Sequence, residues 1–192
     1  WDNGRVVDAG AVTWGNGMTG ARGAVWSANS LVGSTAGDMI GTYGVMVLSN
    51  GSYVVVSTEW HNESVPNAGA VTWGSSAVGV SGEVSAANSL VGSKDGDSVG
   101  SGGVTALSSD SYVIVSPSWD NGRAVDAGAV TWGDGAAGVS GVVSAANSLV
   151  GSTAGDGGGY GRVVALANGS YLVGSPNWDN GRVVDAGAVT WG

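Results

Sequence analysis

The chain reads as an all-β protein of tandem 59-residue repeats forming four-stranded, propeller-like blades, with a parallel β-helix or solenoid as the alternative. Three observations lead there. A motif returns at a fixed step, short valine-rich runs alternate with turn residues, and 37 of the 192 residues are glycine without a Gly-X-Y period.

The repeat comes first. Asp8-Ala-Gly-Ala-Val-Thr-Trp-Gly15 returns at residues 67–74, 126–133 and 185–192, with Asn67 in place of the aspartate in the second copy. Asn29-Ser-Leu-Val-Gly-Ser34 returns at residues 88–93 and 147–152, and Trp1, Trp60, Trp119 and Trp178 keep the same 59-residue step. Residues 1–15 are identical to residues 178–192, so the chain divides into a partial copy, 1–15, and three units, 16–74, 75–133 and 134–192. A unit of this size cannot close a core alone and buries its apolar faces against its neighbours.

Within a unit, four runs have strand character: about Gly44 to Ser49, Tyr53 to Ser57, Ala70 (or Ala11) to the following tryptophan, and Ala24 to Val32. The pairs Asn50-Gly51 and Asn168-Gly169 lie between two such runs, a strong hairpin signal because both residue types tolerate positive φ. Four antiparallel strands make one propeller blade. Three units fall short of the usual four-blade ring, which predicts completion by other copies as an oligomer, a longer array or a fibre.

Composition narrows the function classes. Charged residues are 11% of the chain, hydrophobic ones 43%, and the net charge is −9 with six Lys and Arg. That suits a folded core and offers no basic stripe for nucleic acid. The absence of cysteine excludes a disulfide framework. No apolar run approaches the ~20 residues of a membrane-spanning helix, so no membrane insertion is expected, and any export signal would lie elsewhere. No phosphate loop, nucleophile elbow or paired-histidine motif occurs, and the chain is expected to be neither an enzyme nor a carrier of a cofactor.

The run Gly37-Asp38-Met39-Ile40-Gly41-Thr42-Tyr43-Gly44-Val45, followed by Tyr53-Val-Val-Val-Ser57 and Gly69-Ala-Val-Thr-Trp73, resembles the FG-GAP repeat of integrin-α-type propellers. Val115-Ser-Pro117 and Val173-Gly-Ser-Pro176 resemble that family's Gly-Ala-Pro element. The aromatic expected before Gly41 is replaced by Ile40, and by Val99 and Gly158 in the other units. The family's calcium loop corresponds here to residues 48–53, 107–112 and 166–171, which offer at most one carboxylate, too few for calcium. The whole unit is also similar to repeats of filamentous-haemagglutinin-like bacterial outer-surface proteins. This implies an extracellular or cell-surface structural or adhesive protein.

The recurrent side chains define the candidate sites. Trp1, Trp60, Trp119 and Trp178 lie beside Asn-Gly turns and are candidate platforms for surface glycans, a lectin-like alternative to the adhesive reading. Trp14, Trp73, Trp132 and Trp191 sit within strands and are expected between sheets. Arg5 with Asp8, Arg123 with Asp126 and Arg182 with Asp185 recur together and are lost together as Ser64 and Asn67, which predicts structural salt bridges. Asp38, Asp97 and Asp156 stand in glycine turns, either bonding their own backbone or binding calcium weakly. The single His61, near Glu63, is drift in one loop or an acid–base pair.

Overall fold

The computed structural model describes residues 1–157 and 162–192; Gly158 lies outside the described residues. The described residues contain strands and turns and no helix. In chain order the strands are β1 (Ala11–Val12), β2 (Leu31–Val32), β3 (Val45–Val47), β4 (Tyr53–Ser57) and β5 (Ala70–Gly74). They continue with β6 (Gly82–Glu83), β7 (Ser89–Val91), β8 (Gly103–Ala106), β9 (Tyr112–Ser116) and β10 (Ala129–Gly133). The last are β11 (Gly141–Val142), β12 (Ser148–Val150), β13 (Arg162–Ala165), β14 (Tyr171–Ser175) and β15 (Ala188–Trp191).

The most complete sheet has the order β11-β7-β5-β4-β3. Four of its strands form an antiparallel meander, and β11 joins β7 in parallel from the following unit. The other sheets are β1-β2-β6, β12-β10-β9-β8 and β13-β14-β15. In the first, β6 likewise joins β2 in parallel. This is an all-β repeat fold. Its dominant pairing is antiparallel within a unit, whereas a parallel β-helix needs like strands of successive coils side by side.

The middle strands explain their own composition. In β4, Val54 and Val56 belong to one apolar cluster, with Ile114 and Trp119, while Tyr53 and Val55 belong to another, with Leu31 and Trp60. Alternate side chains thus enter cores on opposite faces of one sheet, so an unbroken Val-Val-Val run suits a strand buried on both sides. Tyr112 and Ile114 against Val113 repeat the pattern in β9.

The hairpin signal at Asn50-Gly51 holds: β3 and β4 pair antiparallel across it. Gly51 takes the positive φ, at 82°, while the Asn50 carboxamide oxygen accepts the Ser52 N–H at 2.8 Å. The expected fourth strand, Ala24 to Val32, is corrected. Its equivalent in the next unit is two short strands, β6 and β7, that belong to different sheets. Between them Asn88 folds a turn: its oxygen accepts the Ser85 N–H at 3.0 Å and its amide donates to the Glu83 carbonyl at 2.9 Å. Asn29 and Asn147 do the same. Local side chain to backbone bonds outcompete continuation of the strand. The division at 16, 75 and 134 therefore falls inside sheets: β5 and its partner β7 lie in different sequence units.

Candidate functional site

The recurrent polar residues converge on the joints between units. The Asp97 carboxylate, 1% exposed, accepts the N–H groups of Ser93 and Lys94 on one oxygen, at 2.8 and 2.9 Å, and that of Asp120 on the other, at 3.0 Å. Asp38 and Asp156 repeat the arrangement. Each therefore closes its own turn and also ties it to a loop 23 residues later. Both oxygens face donors. Among the described residues no group of three or more acidic or histidine side chains is placed to hold a metal ion.

Around this tie lie two further recurrent bonds. Asn3, Asn62 and Asn121 each donate through the side-chain amide to a glycine carbonyl 30 residues on, at 3.1, 2.8 and 2.8 Å. The hydroxyls of Thr13 and Ser30, Thr72 and Ser89, and Thr131 and Ser148 lie 2.7 Å apart across paired strands. Neither set was singled out from sequence, although a Thr and a Ser 17 residues apart in every unit was the available signal.

His61 belongs to the same tie. Its N–H and its Nδ1 both approach Asp38 Oδ1, at 2.9 and 3.0 Å. The other units hold an aspartate at this position, whose carboxylate instead accepts the N–H six residues later, as Asp120 does from Asp126 at 2.9 Å. The variant ring thus adds one bond to an existing structural carboxylate. Glu63 is exposed.

Three sequence expectations need correction. Trp60 and Trp119 are buried in the sheet-to-sheet cores, Trp178 is half-buried and Trp1 is exposed. The shared position is an inter-sheet core position, so the faces of Trp60 and Trp119 are closed to a sugar. The salt bridges Arg5–Asp8, Arg123–Asp126 and Arg182–Asp185 do not form: among the described residues the ion pairs are His61–Asp38 and Lys94–Asp120. Asp8, Asp126 and Asp185 have φ of 54°, 52° and 50°, and Asn67 has 48°. Asp and Asn alternate there because both tolerate the left-handed backbone, and the arginine is an independent exposed turn residue. The third correction concerns the strand tryptophans. Trp14 and Trp73 do pack, half-buried, against the cores, but Trp132 and Trp191 are exposed.

Burial raises the tyrosine hydroxyls that pack beside these joints. Desolvation pushes Tyr112 up to about 12, and raises Tyr53 and Tyr171. The Tyr53 hydroxyl accepts the Val80 N–H at 3.2 Å, a bond that binds one unit to the next loop.

The site is thus a repeated seam of backbone-satisfying carboxylates, amides and hydroxyls. None of the curated proteins compared matches the chain. The family model of a repeat of unknown function, DUF5650, matches residues 1–42, 47–101, 106–160 and 165–192. Its complete copies begin close to β3 and β8, in phase with the sheets rather than with the division at Trp-Gly. The chain therefore belongs to the DUF5650 repeat family.

Proposed function

We propose that this chain is a non-catalytic structural or adhesive repeat protein of the cell surface, self-associating through contacts between its blade-like sheets. One observation carries the reading: each recurrent buried carboxylate is fully engaged by backbone N–H groups at a joint between units. Recurrent buried carboxylates whose oxygens are taken up by backbone N–H groups favour a scaffold over a reaction centre. The similarity to filamentous-haemagglutinin-like repeats supports the location and the adhesive role. Units in fixed register also present like turns, closed by Asn3 with Val6, Asn62 with Val65, Asn121 with Ala124 and Asn180 with Val183, at regular intervals, so weak contacts add up to avidity.

Closure of the sheets into a propeller, or their continuation as an open fibre, belongs to the same proposal. Light scattering of the purified chain with and without a calcium chelator tests it. A mass above one chain that survives chelation supports metal-free association. A single-chain mass across the concentration range overturns it. The lectin-like reading loses its footing with the burial of Trp60 and Trp119.

A further inference from the structure

Two turns occupy the same place in successive units, each flanked by complete units, and differ in how they are held. Residues 61–67 lie against Asp38 before them and Gly92 after them, as residues 120–126 lie against Asp97 and Gly151. Both tips are closed by the same pair of backbone bonds: Asn62 with Val65, at 2.9 and 3.0 Å, and Asn121 with Ala124, at 3.0 and 2.9 Å.

Around that shared tip the supports diverge. Asp120 accepts the Asp126 N–H at 2.9 Å, as Asp2 and Asp179 do from Asp8 and Asp185, whereas His61 has no carboxylate to offer Asn67 and turns its ring to Asp38. Lys94 reaches the later turn twice, donating to the Gly122 carbonyl and standing 3.8 Å from the Asp120 carboxylate. Beside the earlier turn that place is held by Thr35, which carries no ammonium. Gly4, Gly122 and Gly181 enter their tips at φ of 64°, 61° and 63°, but Glu63 does so at 57°, a left-handed backbone that strains any residue with a Cβ and leaves glycine unstrained.

What the earlier turn has in exchange lies at its ends. The His61 N–H and Nδ1 approach Asp38 Oδ1 at 2.9 and 3.0 Å. Pro66 fixes the backbone where the other units have valine, and its carbonyl accepts the Gly96 N–H at 3.3 Å. These two residues pin the turn on either side, and neither closes the tip between them.

We infer that residues 62–65 form a strap that opens and closes locally on pinned ends while the sheets stay folded. Opening breaks the Asn62–Val65 pair, releases Glu63 from its left-handed backbone and withdraws the Asn62 amide from the Gly92 carbonyl, 2.8 Å away in the closed form. That bond is the recurrent tie between consecutive units, so this joint uncouples where the one at Asn121 stays fastened. Local openings of this kind need far less free energy than global unfolding. Nothing in the motion requires a second chain, so it stands or falls apart from self-association.

Native-state hydrogen exchange of the whole chain reads the motion, because the amides of Asn62 and Val65 make the same bonds as those of Asn121 and Ala124. After correction for intrinsic rates, Asn62 and Val65 are expected to exchange about tenfold faster than Asn121 and Ala124. Equal protection of the two pairs, or greater protection at Asn62 and Val65, would overturn the strap. His61→Asp with Glu63→Gly restores the bond to residue 67 and the unstrained tip, and should slow the fast pair to the rates of the other. Exchange that stays fast in the folded double variant would overturn it as well, since the lost bond and Glu63 would not be its cause. Lys94→Ala is the converse test: exchange should quicken at Asn121 and Ala124 and stay unchanged at Asn62 and Val65. No change at Asn121 and Ala124, or the same rise at both pairs, would contradict the contrast between the turns on which the strap rests.

Discussion

The indole Nε1 of Trp73 donates to the Gly135 carbonyl at 3.1 Å, and the same ring lies against Gly138. A side chain of one unit thus recognises the turn of the next through a bond and a bare backbone surface together. A Cβ on Gly138 would meet Trp73 Cβ at 2.7 Å, and its φ is 77°. Gly138→Ala is expected to cost about 2–4 kcal/mol, from overpacking added to left-handed strain. Gly122→Ala, at φ 61° with nothing within 4 Å, carries the backbone cost alone, about 1 kcal/mol. Urea unfolding of the two variants separates the terms, and equal losses would deny the ring its role.

Asp97 gives the second prediction. Asp97→Ala removes the shared acceptor of three part-buried bonds, those from the N–H groups of Ser93, Lys94 and Asp120, at a cost of about 2–3 kcal/mol. Because both oxygens are already engaged, addition of calcium or its chelation should leave the melting temperature of the wild-type chain unchanged. A calcium-dependent rise would mean that the carboxylate trades its donors for the ion.

The turn aspartates test the corrected ion pair. Asp126→Asn reproduces the Asn67 unit and keeps a residue that tolerates φ near 50°, and Arg123 is exposed. Asp126→Asn, Arg123→Ser and the double variant should each stay within about 0.5 kcal/mol of wild type. A double-mutant cycle with coupling above about 1 kcal/mol would restore the ion pair.

Periodicity made the architecture legible. The 59-residue step, the Val-rich runs of β4 and β9 and the Asn50-Gly51 hairpin all appear as read, because strand pairing within a unit is local and turn residues mark it. What escaped was contact between units. Ala24 to Val32 reads as one strand by composition, but the Asn29 carboxamide bends it, and that the halves of its equivalent in the next unit, β6 and β7, join different sheets is a long-range matter. Joint loss of Arg5 and Asp8 in one unit resembles charge pairing, whereas the backbone at position 8 alone selects Asp or Asn. The burial of Trp60 and Trp119 follows from sheets stacking on both faces, which no single unit's pattern displays.

Asn88 should be the main determinant of the bend. Its carboxamide accepts from Ser85 N–H and Ser89 Oγ and donates to the Glu83 carbonyl. Asn88→Ala removes all three bonds and is expected to cost about 2 kcal/mol. Asn88→Asp retains the two accepted bonds and loses the donated one, so it should fall between wild type and Asn88→Ala. If both variants melt with the wild-type chain, the turn is held by its backbone bonds alone.

Tyr112 sets an alkaline limit. Its side chain, at the start of β9, is fully buried over the strand-end glycine Gly133 of β10, and burial pushes its hydroxyl up to about 12 from an ordinary 10. The folded state thus holds the phenolic proton more tightly than the unfolded chain. The corresponding stability is complete below pH 10 and drains as the pH rises from 10 through about 12, at about 1.4 kcal/mol per pH unit in the steep region. Tyr53 and Tyr171, raised for the same reason, act in the same direction. Wild-type chain should therefore lose urea midpoint between pH 9.5 and about 11.5. Tyr112→Phe, with no proton to lose, should show a shallower decline, whatever its midpoint at neutral pH. Parallel declines would place the alkaline sensitivity elsewhere, in the two less buried tyrosines or in the cations.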